Sequence, residues 1–382
     1  MKRAVLISCS DHYGHRLRLF DRVLREQGFE TTYVTSDFDH TAKQVYVCGV
    51  PGCVQLHVPP YRKNLSVARI VSHRTFARSV FRYLEALPQE PAVVLALLPP
   101  NYLGSYLARY KRRHPQVLLQ FDIFDLWPES FPSARLKGIL RFPFAIWASL
   151  RDRSLGNADY ISAECRMFCE RLALPAENAL YFSLPACGAA LTPPPSDRLV
   201  LGYLGAINNL IDIPRIAVLL AALCKIMPVT LHIIGDGESR TAFCAAAQEA
   251  GAEVYFHGKI FDGAEKDRIL GLCHFGLNVM KDSVCVGLTM KSVDYLRHAL
   301  PLVNSIGSDT EALIRSRGIG IQLAEPEETA AQLAAAVQSG TADMRRAALQ
   351  TYQDCFSEDA ALRACRAATA RLLRQEDLDG TR

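Results

Sequence analysis

VCVGLTMKSVDYLRHALPLVNSIGSDT, residues 284–310, joins a small-residue loop, a helix start and a strand. Gly287 loosens the backbone, Leu288 precedes the helix, Thr289 is a helix-capping residue, and Lys291 and Asp294, three apart, share one face of the first turn. The unpaired N–H groups of such a start attract an anion such as phosphate together with the macrodipole, and Lys291 adds a mobile positive charge there. Asp294 is then free to accept hydrogen bonds from hydroxyls. Ala299, Leu300 and Pro301 end the helix and Leu302 and Val303 begin a buried strand, so the stretch reads as a helix-to-strand unit of an α/β domain. An ordinary capped helix with a solvated lysine fits the same residues.

Outward from it, short aliphatic runs alternate with amphipathic helical segments, the pattern of parallel sheets covered by helices on both faces. Strands are predicted at 199–204, 229–234, 254–256 and 275–280. Their following loops carry Gly205, Asn208 and Asn209, then Gly235 and Gly237, then His257, Gly258 and Ile260. The Gly-x-Gly at 235–237 hints at a dinucleotide fingerprint, but Arg240 stands where the third glycine belongs. Upstream, PACGAALTPPPSDR at 185–198 reads as a linker, since three consecutive prolines continue neither a helix nor an internal strand.

A second alternating series fills the N-terminal half. Strands are predicted at 4–8, 31–36, 93–98 and 117–121, with Leu17, Phe20, Val23 and Leu24 as the inner face of the first helix. Between the first strand and that helix lie Asp11, His12, Tyr13, Gly14, His15 and Arg16, at the end of the strand where open α/β sheets keep their ligands; a plain polar turn has the same composition. The strand at 117–121 delivers Asp122, Asp125 and Glu129, with Trp127 and Pro128, into a loop rigid enough to aim carboxylates into a cleft, and helix caps and salt bridges are the alternative use of the same acids. Arg69, His73, Arg74, Arg78 and Arg82 form a basic stripe at helical spacing. Residues 135–153, RLKGILRFPFAIWASLRDR, set Phe142, Phe144, Ile146 and Trp147 between arginines and lysine; that suits a helix lying on an anionic membrane surface, and equally a core-facing helix with charged ends.

Composition bounds these readings. A chain of 382 residues exceeds one ordinary core. Residues 1–190 hold 24 basic against 16 acidic side chains, a net of +8, and residues 191–382 hold 19 against 23, a net of −4. The basic half suits an anionic partner: a phospholipid surface, a lipid-phosphate acceptor or nucleic acid. Twelve cysteines without a CxxC pair or a histidine at zinc spacing read as reduced thiols, and no metal site is expected. The opening MKRAVLIS reads as a first strand and not a signal peptide, and no run approaches the apolar length of a membrane span.

The motifs DLWPES (125–130), GYLGAINNLIDI (202–213), HIIGDGES (232–239), VYFHGKI (254–260) and GLTMKSVDYLRHALPLVNS (287–305) occur in the order found in GT-B glycosyltransferases, and the chain resembles the retaining, nucleotide-sugar-dependent family 4 of that group. The resemblance implies two Rossmann-like doubly wound parallel-sheet domains facing across a cleft: an acceptor-binding domain at 1–184, the linker at 185–198, a donor-binding domain at 199–355, and a C-terminal helix and tail at 356–382 that packs back on the first domain. It also implies a nucleotide-sugar substrate, no cofactor, no nucleic-acid partner and a cytoplasmic protein at the inner face of the cell membrane.

Residue by residue, the resemblance gives Asp294 the ribose contact and sets Gly258 and Ile260 beside the base. Where the family carries an acid eight positions before Asp294 this chain has Val286, and Asn208 and Asn209 replace its basic pair, so Lys291 carries more of the diphosphate charge, helped by backbone N–H groups of Ser292 and its neighbours. The family's histidine near the reacting sugar is replaced within Asp122–Asp125. A nucleoside diphosphate leaving group needs charge stabilisation more than a strong base, which Lys291 and a helix start supply, while Asp122 or Asp125 orients or deprotonates the acceptor hydroxyl. Two rivals share these features: a sugar-nucleotide epimerase of the same fold and a non-catalytic nucleotide-sugar binding protein.

Overall fold

The computed structural model describes residues 2–10, 14–64, 66–130, 138 and 141–379, with side chains to residue 374. Two compact units form: Met1–Phe182 with Ala361–Arg382, and Ser183–Ala360.

In the first unit the strands are β1 (Arg3–Ile7), β2 (Glu30–Ser36), the short antiparallel pair β3 (Phe38–Asp39) and β4 (Gln44–Val45), β5 (Val54–Leu56), β6 (Val93–Leu98), β7 (Leu118–Ile123) and β8 (Tyr160–Ala163). Six of them make one parallel sheet in the order β5-β2-β1-β6-β7-β8. β6 and β7 are buried at every position, as central parallel strands covered on both faces must be. The second unit repeats the plan with β9 (Leu199–Leu204), β10 (Val229–Ile234), β11 (Glu253–Gly258), β12 (Phe275–Asn278), β13 (Leu302–Asn304) and β14 (Gly320–Gln322), ordered β11-β10-β9-β12-β13-β14. Counted along the chain, each sheet runs third, second, first, fourth, fifth, sixth, so each reverses direction between its first and fourth strands: β1/β6 and β9/β12. Ligand sites of doubly wound sheets lie at the carboxyl ends of the strands beside that reversal.

Three sequence expectations change. β7 runs two residues past 121, because Asp122 and Ile123 continue the ladder opposite Leu97 and Leu98 and opposite Ser162 and Ala163; Asp122 is therefore a strand residue and not a loop residue. The first helix spans Gly14–Glu26, which takes Gly14, His15 and Arg16 out of the loop, while Asp11, His12 and Tyr13 lie outside the described residues. The 185–198 segment is tied into the second unit and is no slack spacer: Pro185 O accepts from Arg297, Gly188 N donates to Asp267, and Ala190 O accepts from the buried Arg345.

The C-terminal helix Glu358–Asp379 inserts Leu362, Cys365, Ala368 and Leu372 into the core of the first unit beside Leu17, Phe20 and Leu24. Among the described residues no helix is long and apolar enough to cross a membrane.

Candidate active site

In the second unit, backbone builds the site and one side chain charges it. Gly205 leaves β9 at φ +118° and Gly235 leaves β10 at φ +142°, both in the region that favours glycine. The strand-end loops touch backbone to backbone: a Cβ on Gly235 would lie 1.9 Å from Gly205 O, and one on Gly237 would lie 2.3 Å from Ile207 O. Hydrogen bonds from Gly205 N to Ile234 O, from Ile207 N to Asp236 O, and from Gly235 N to Gly258 O knit the ends of β9, β10 and β11 together.

Helix Met290–Arg297 supplies the charge. Its cap, Thr289, accepts from Ser292 N at 3.1 Å and donates to Asn278 Oδ1 at 3.0 Å, and Asn278 Nδ2 donates in turn to Ser292 Oγ and Asn304 Oδ1. Gly287 O accepts from both the N–H and the hydroxyl of Thr310, and Leu288 is buried, so the loop ahead of the cap is fixed. One turn in, the buried Tyr295 hydroxyl accepts from Leu204 N at 2.7 Å, which fastens the helix to the end of β9. Lys291 is thereby brought to Gly205, whose Cβ, if present, would meet Lys291 Cε at 4.0 Å. Its ammonium donates to Tyr203 Oη at 3.3 Å and lies 4.5 Å from that ring's centroid. It has no carboxylate partner among the described residues, and burial lowers its pKa to about 8. A desolvated, unpaired cation against glycine-walled loops at the β9/β12 reversal is a seat for an anion.

Asp294 is not free as expected. Its Oδ1 accepts from Arg297 Nε at 2.7 Å and its Oδ2 lies 3.6 Å from Lys266. Asn208 Oδ1 is spent accepting from Leu210 N in the turn after β9, and Asn209 is exposed beside it. His257 belongs to β11 and its Nε2 meets His232 Nδ1 at 2.9 Å, while Ile260 lies half-buried past its end. Cys187, Asp267 and His298 place potential metal-ligand atoms within 4.8 Å of one another, a grouping dispersed in sequence; His298 bonds Asp267 directly at 2.8 Å.

In the first unit, side chains build the site. A pocket of about 80 Å³ opens at the carboxyl ends of β1, β2, β6 and β7, lined by Ser8, Ser10, His40, Tyr61, Arg69, His73, Pro100, Asp125 and Trp127 among others. Asp125 stands in it with both oxygens engaged, one by the Trp127 indole N–H and the other by the Ser130 hydroxyl, and burial raises its pKa. Asp122 does not join it. Its side chain is fully buried, paired with Arg16 through two N–H donors and accepting from Ser162 Oγ at 2.8 Å, so Asp122 and Arg16 are a structural pair and not acceptor-site groups. Glu129 likewise receives a two-pronged Arg151 guanidinium at 2.8 Å on each oxygen.

His40 and Glu164 are not among the residues the sequence singles out, and His73 is placed there only in a basic stripe. His40 and His73 restore imidazoles to the pocket from segments far from 122–125, and burial, with Arg69 and then His40 adding, lowers the His73 pKa to about 3, which keeps it neutral. Glu164, just beyond β8, is pushed up to about 8 by burial, with Arg16 opposing and Asp125 and Asp122 adding. Only the topology brings these residues to one edge of the sheet.

No protein-family model matches the chain, and no curated protein matches it. Solved structures do. The lipopolysaccharide outer core galactosyltransferase WaaB, in its apo form, is 14% identical with a TM-score of 0.62 over 97% of this chain and 99% of that one. Anabaena HepE in complex with UDP is 14% identical with a TM-score of 0.63 over 98% and 100%, and its complex with UDP-glucose is 15% identical at 0.59 over 97% and 100%. A glycosyltransferase from Rickettsia africae is 9% identical at 0.58 over 97% and 98%. The fold is thus the two-Rossmann-domain, GT-B type of these glycosyltransferases.

Proposed function

We propose that the protein is a glycosyltransferase, hexosyltransferase-like, retaining and metal-independent, moving a sugar from a nucleotide-sugar to a hydroxyl of a glycan or lipid-linked acceptor in cell-surface polysaccharide or glycolipid synthesis. Lys291 carries the reading: it is a half-buried, desolvated ammonium without a carboxylate partner among the described residues, held against Gly205. In the reaction the bond from the anomeric carbon to the diphosphate oxygen breaks and its electron pair leaves with the nucleoside diphosphate. The acceptor oxygen bonds to the same carbon and gives its proton to the Asp125 carboxylate. Lys291 and the positive end of helix Met290–Arg297 stabilise the leaving charge, while the Ser292 N–H, expected to face the anion, is spent on the Thr289 cap. Asp125 faces the acceptor hydroxyl, and Asp122 is withdrawn from that role. Asp294 keeps the ribose contact, since a carboxylate accepts more bonds than Arg297 and Lys266 use.

HepE was solved with UDP and with UDP-glucose, which makes uridine nucleotides the first probes. A nucleotide that binds only the folded chain raises its Tm, and transfer from the matching sugar donor follows. If no nucleoside diphosphate in a panel of UDP, GDP, ADP and dTDP moves the melt, the reading is wrong. Val286, standing where the resembled family has an acid, favours one alternative, a binder without transfer; donor binding by calorimetry with no hydrolysis or transfer over an acceptor panel selects it. Conversion of the donor alone selects an epimerase.

Contact with an anionic membrane through 135–153, of which 135–137, 139 and 140 lie outside the described residues, at the cytoplasmic face, belongs to the same reading. Phe142 is 77% exposed and Ile146 49% exposed on helix Arg141–Leu155. Nearby Arg74, Arg78, Arg82 and Arg109 line a groove with no ion pair among the described residues. Sedimentation with phosphatidylglycerol vesicles at low salt tests the contact, and a protein left in the supernatant removes it.

A further inference from the structure

The polar pocket of the first unit continues into an apolar groove of about 530 Å³ between the start of helix Val67–Glu85 and helix Arg141–Leu155. Arg69, His73 and Trp127 line both. Beyond them the groove wall turns to Val67, Ile70, Phe144, Ile146, Trp147 and Leu150. Such a wall left open to water is costly unless a ligand covers it: Ile70 is 44% exposed and Ile146 49%. At the junction stands Arg69, packed over the rings of Trp127 and Tyr61 at 5.3 and 6.0 Å, with no carboxylate partner among the described residues. Trp147 Nε1 is buried there without a hydrogen-bond partner among the described residues, a donor lacking an acceptor.

A groove apolar along its length, and cationic where it meets a polar pocket, fits an amphiphile with a phosphate between a hydrocarbon chain and a hydroxylated head. We propose that the acceptor is a lipid-phosphate-linked sugar: its chain lies in the Ile70–Ile146–Trp147 groove, its phosphate on Arg69, and its sugar hydroxyls toward Asp125. This rests on the transferase reading and narrows its acceptor to one chemical class.

Trp127 and Trp147 are the only two tryptophans of the chain, and both line the groove, so intrinsic emission reports on it directly. The full-length protein is titrated, without nucleotide, with monomeric dodecyl phosphate. A saturable blue shift is expected, weakened at least tenfold by Arg69→Ala and by Ile146→Asp, and absent with inorganic phosphate. Dodecyl maltoside, which has the chain without the phosphate, binds at least tenfold more weakly. No saturable change, equal binding of the maltoside, or a shift with phosphatidylglycerol vesicles but not with the monomer overturns the proposal, the last marking a membrane-docking face instead. Ile146 is half exposed, so its variant keeps a folded chain, and a retained nucleotide-induced rise in Tm verifies that. Because the titration contains no nucleotide, it can fail while nucleotide binding stands, which separates this inference from the transferase reading.

Discussion

Both units use one device in different surroundings. Each places a cation that has no ion-pair partner among the described residues in the first turn of a hydroxyl-capped helix: Lys291 two residues past Thr289, and Arg69 three past Ser66, whose side chain accepts from Arg69 N at 3.2 Å. Lys291 sits against backbone, with one tyrosine for company, whereas Arg69 sits among Trp127, Tyr61 and His73. An ammonium is a compact charge whose desolvation shows as a lowered pKa, while a guanidinium stays charged and stacks on rings. The glycine-walled site is therefore suited to a small, multiply charged group and is sensitive to pH, and the aromatic-walled one is suited to a ligand with an apolar part and is not.

The largest effect tests which acid of the first unit is structural. Asp122→Ala strands the buried Arg16 and is expected to cost about 3–5 kcal/mol of stability. Asp125→Asn keeps its Trp127 and Ser130 neighbours and is expected to melt near wild type while transfer falls by about 10²–10⁴. Paired thermal melts and turnover assays decide it; the reverse assignment of effects exchanges the two roles. Next in size, Lys291→Ala is expected to lower turnover by about 10²–10³ with no loss of stability, since a desolvated charge is removed. Near-normal turnover takes Lys291 out of the site.

The sequence carried more of the second unit than of the first, for a physical reason. A site of glycines and a capped helix start is written locally: Gly205, Gly235, Gly237, Thr289 and Lys291 each declare themselves within a few residues of a strand end. The aromatic and histidine-lined pocket is assembled from Ser8, His40, Tyr61, His73 and Asp125, which no spacing links. Asp122 and Asp125 look alike in a string, and only strand register shows that the first points into a buried pair with Arg16. The pairing of Asp294 is hidden for a similar reason, because Lys266 comes from another helix, Gly263–Gly271.

A smaller effect separates the two cations by pH. Lys291 is charged below about 8, so affinity for a nucleoside diphosphate is expected to fall above that pH, by up to tenfold per unit, and the slope vanishes in Lys291→Ala. Between about 8 and 10.5 the unfolded chain holds a proton that the folded one has released, so this group's contribution to stability rises with pH across the window. Dodecyl phosphate, bound through Arg69, shows no such fall over the same range. Calorimetric titrations at pH 7, 8 and 9 give both slopes, and equal slopes abolish the distinction between the sites.

The smallest effect concerns the caps. Thr289→Ala and Ser66→Ala each remove one side-chain bond to a helix start, at a cost of about 1 kcal/mol. Their consequences for binding diverge. Thr289 also donates to Asn278, which is bonded to Ser292 and Asn304, so its loss disturbs a buried network that fixes the helix start beside Gly205. Nucleotide affinity is expected to drop several-fold in Thr289→Ala and to recover in Thr289→Ser, which keeps the hydroxyl. Ser66 has no comparable network among the described residues, its hydroxyl donating to Lys63 O at the surface, and Arg69 is held by its stacking on Trp127 and Tyr61 and by its bonds to Asn64 O and His73. Amphiphile binding in Ser66→Ala is then expected to stay within about twofold of wild type, because ring contacts and side-chain hydrogen bonds, not the cap, set where that guanidinium lies.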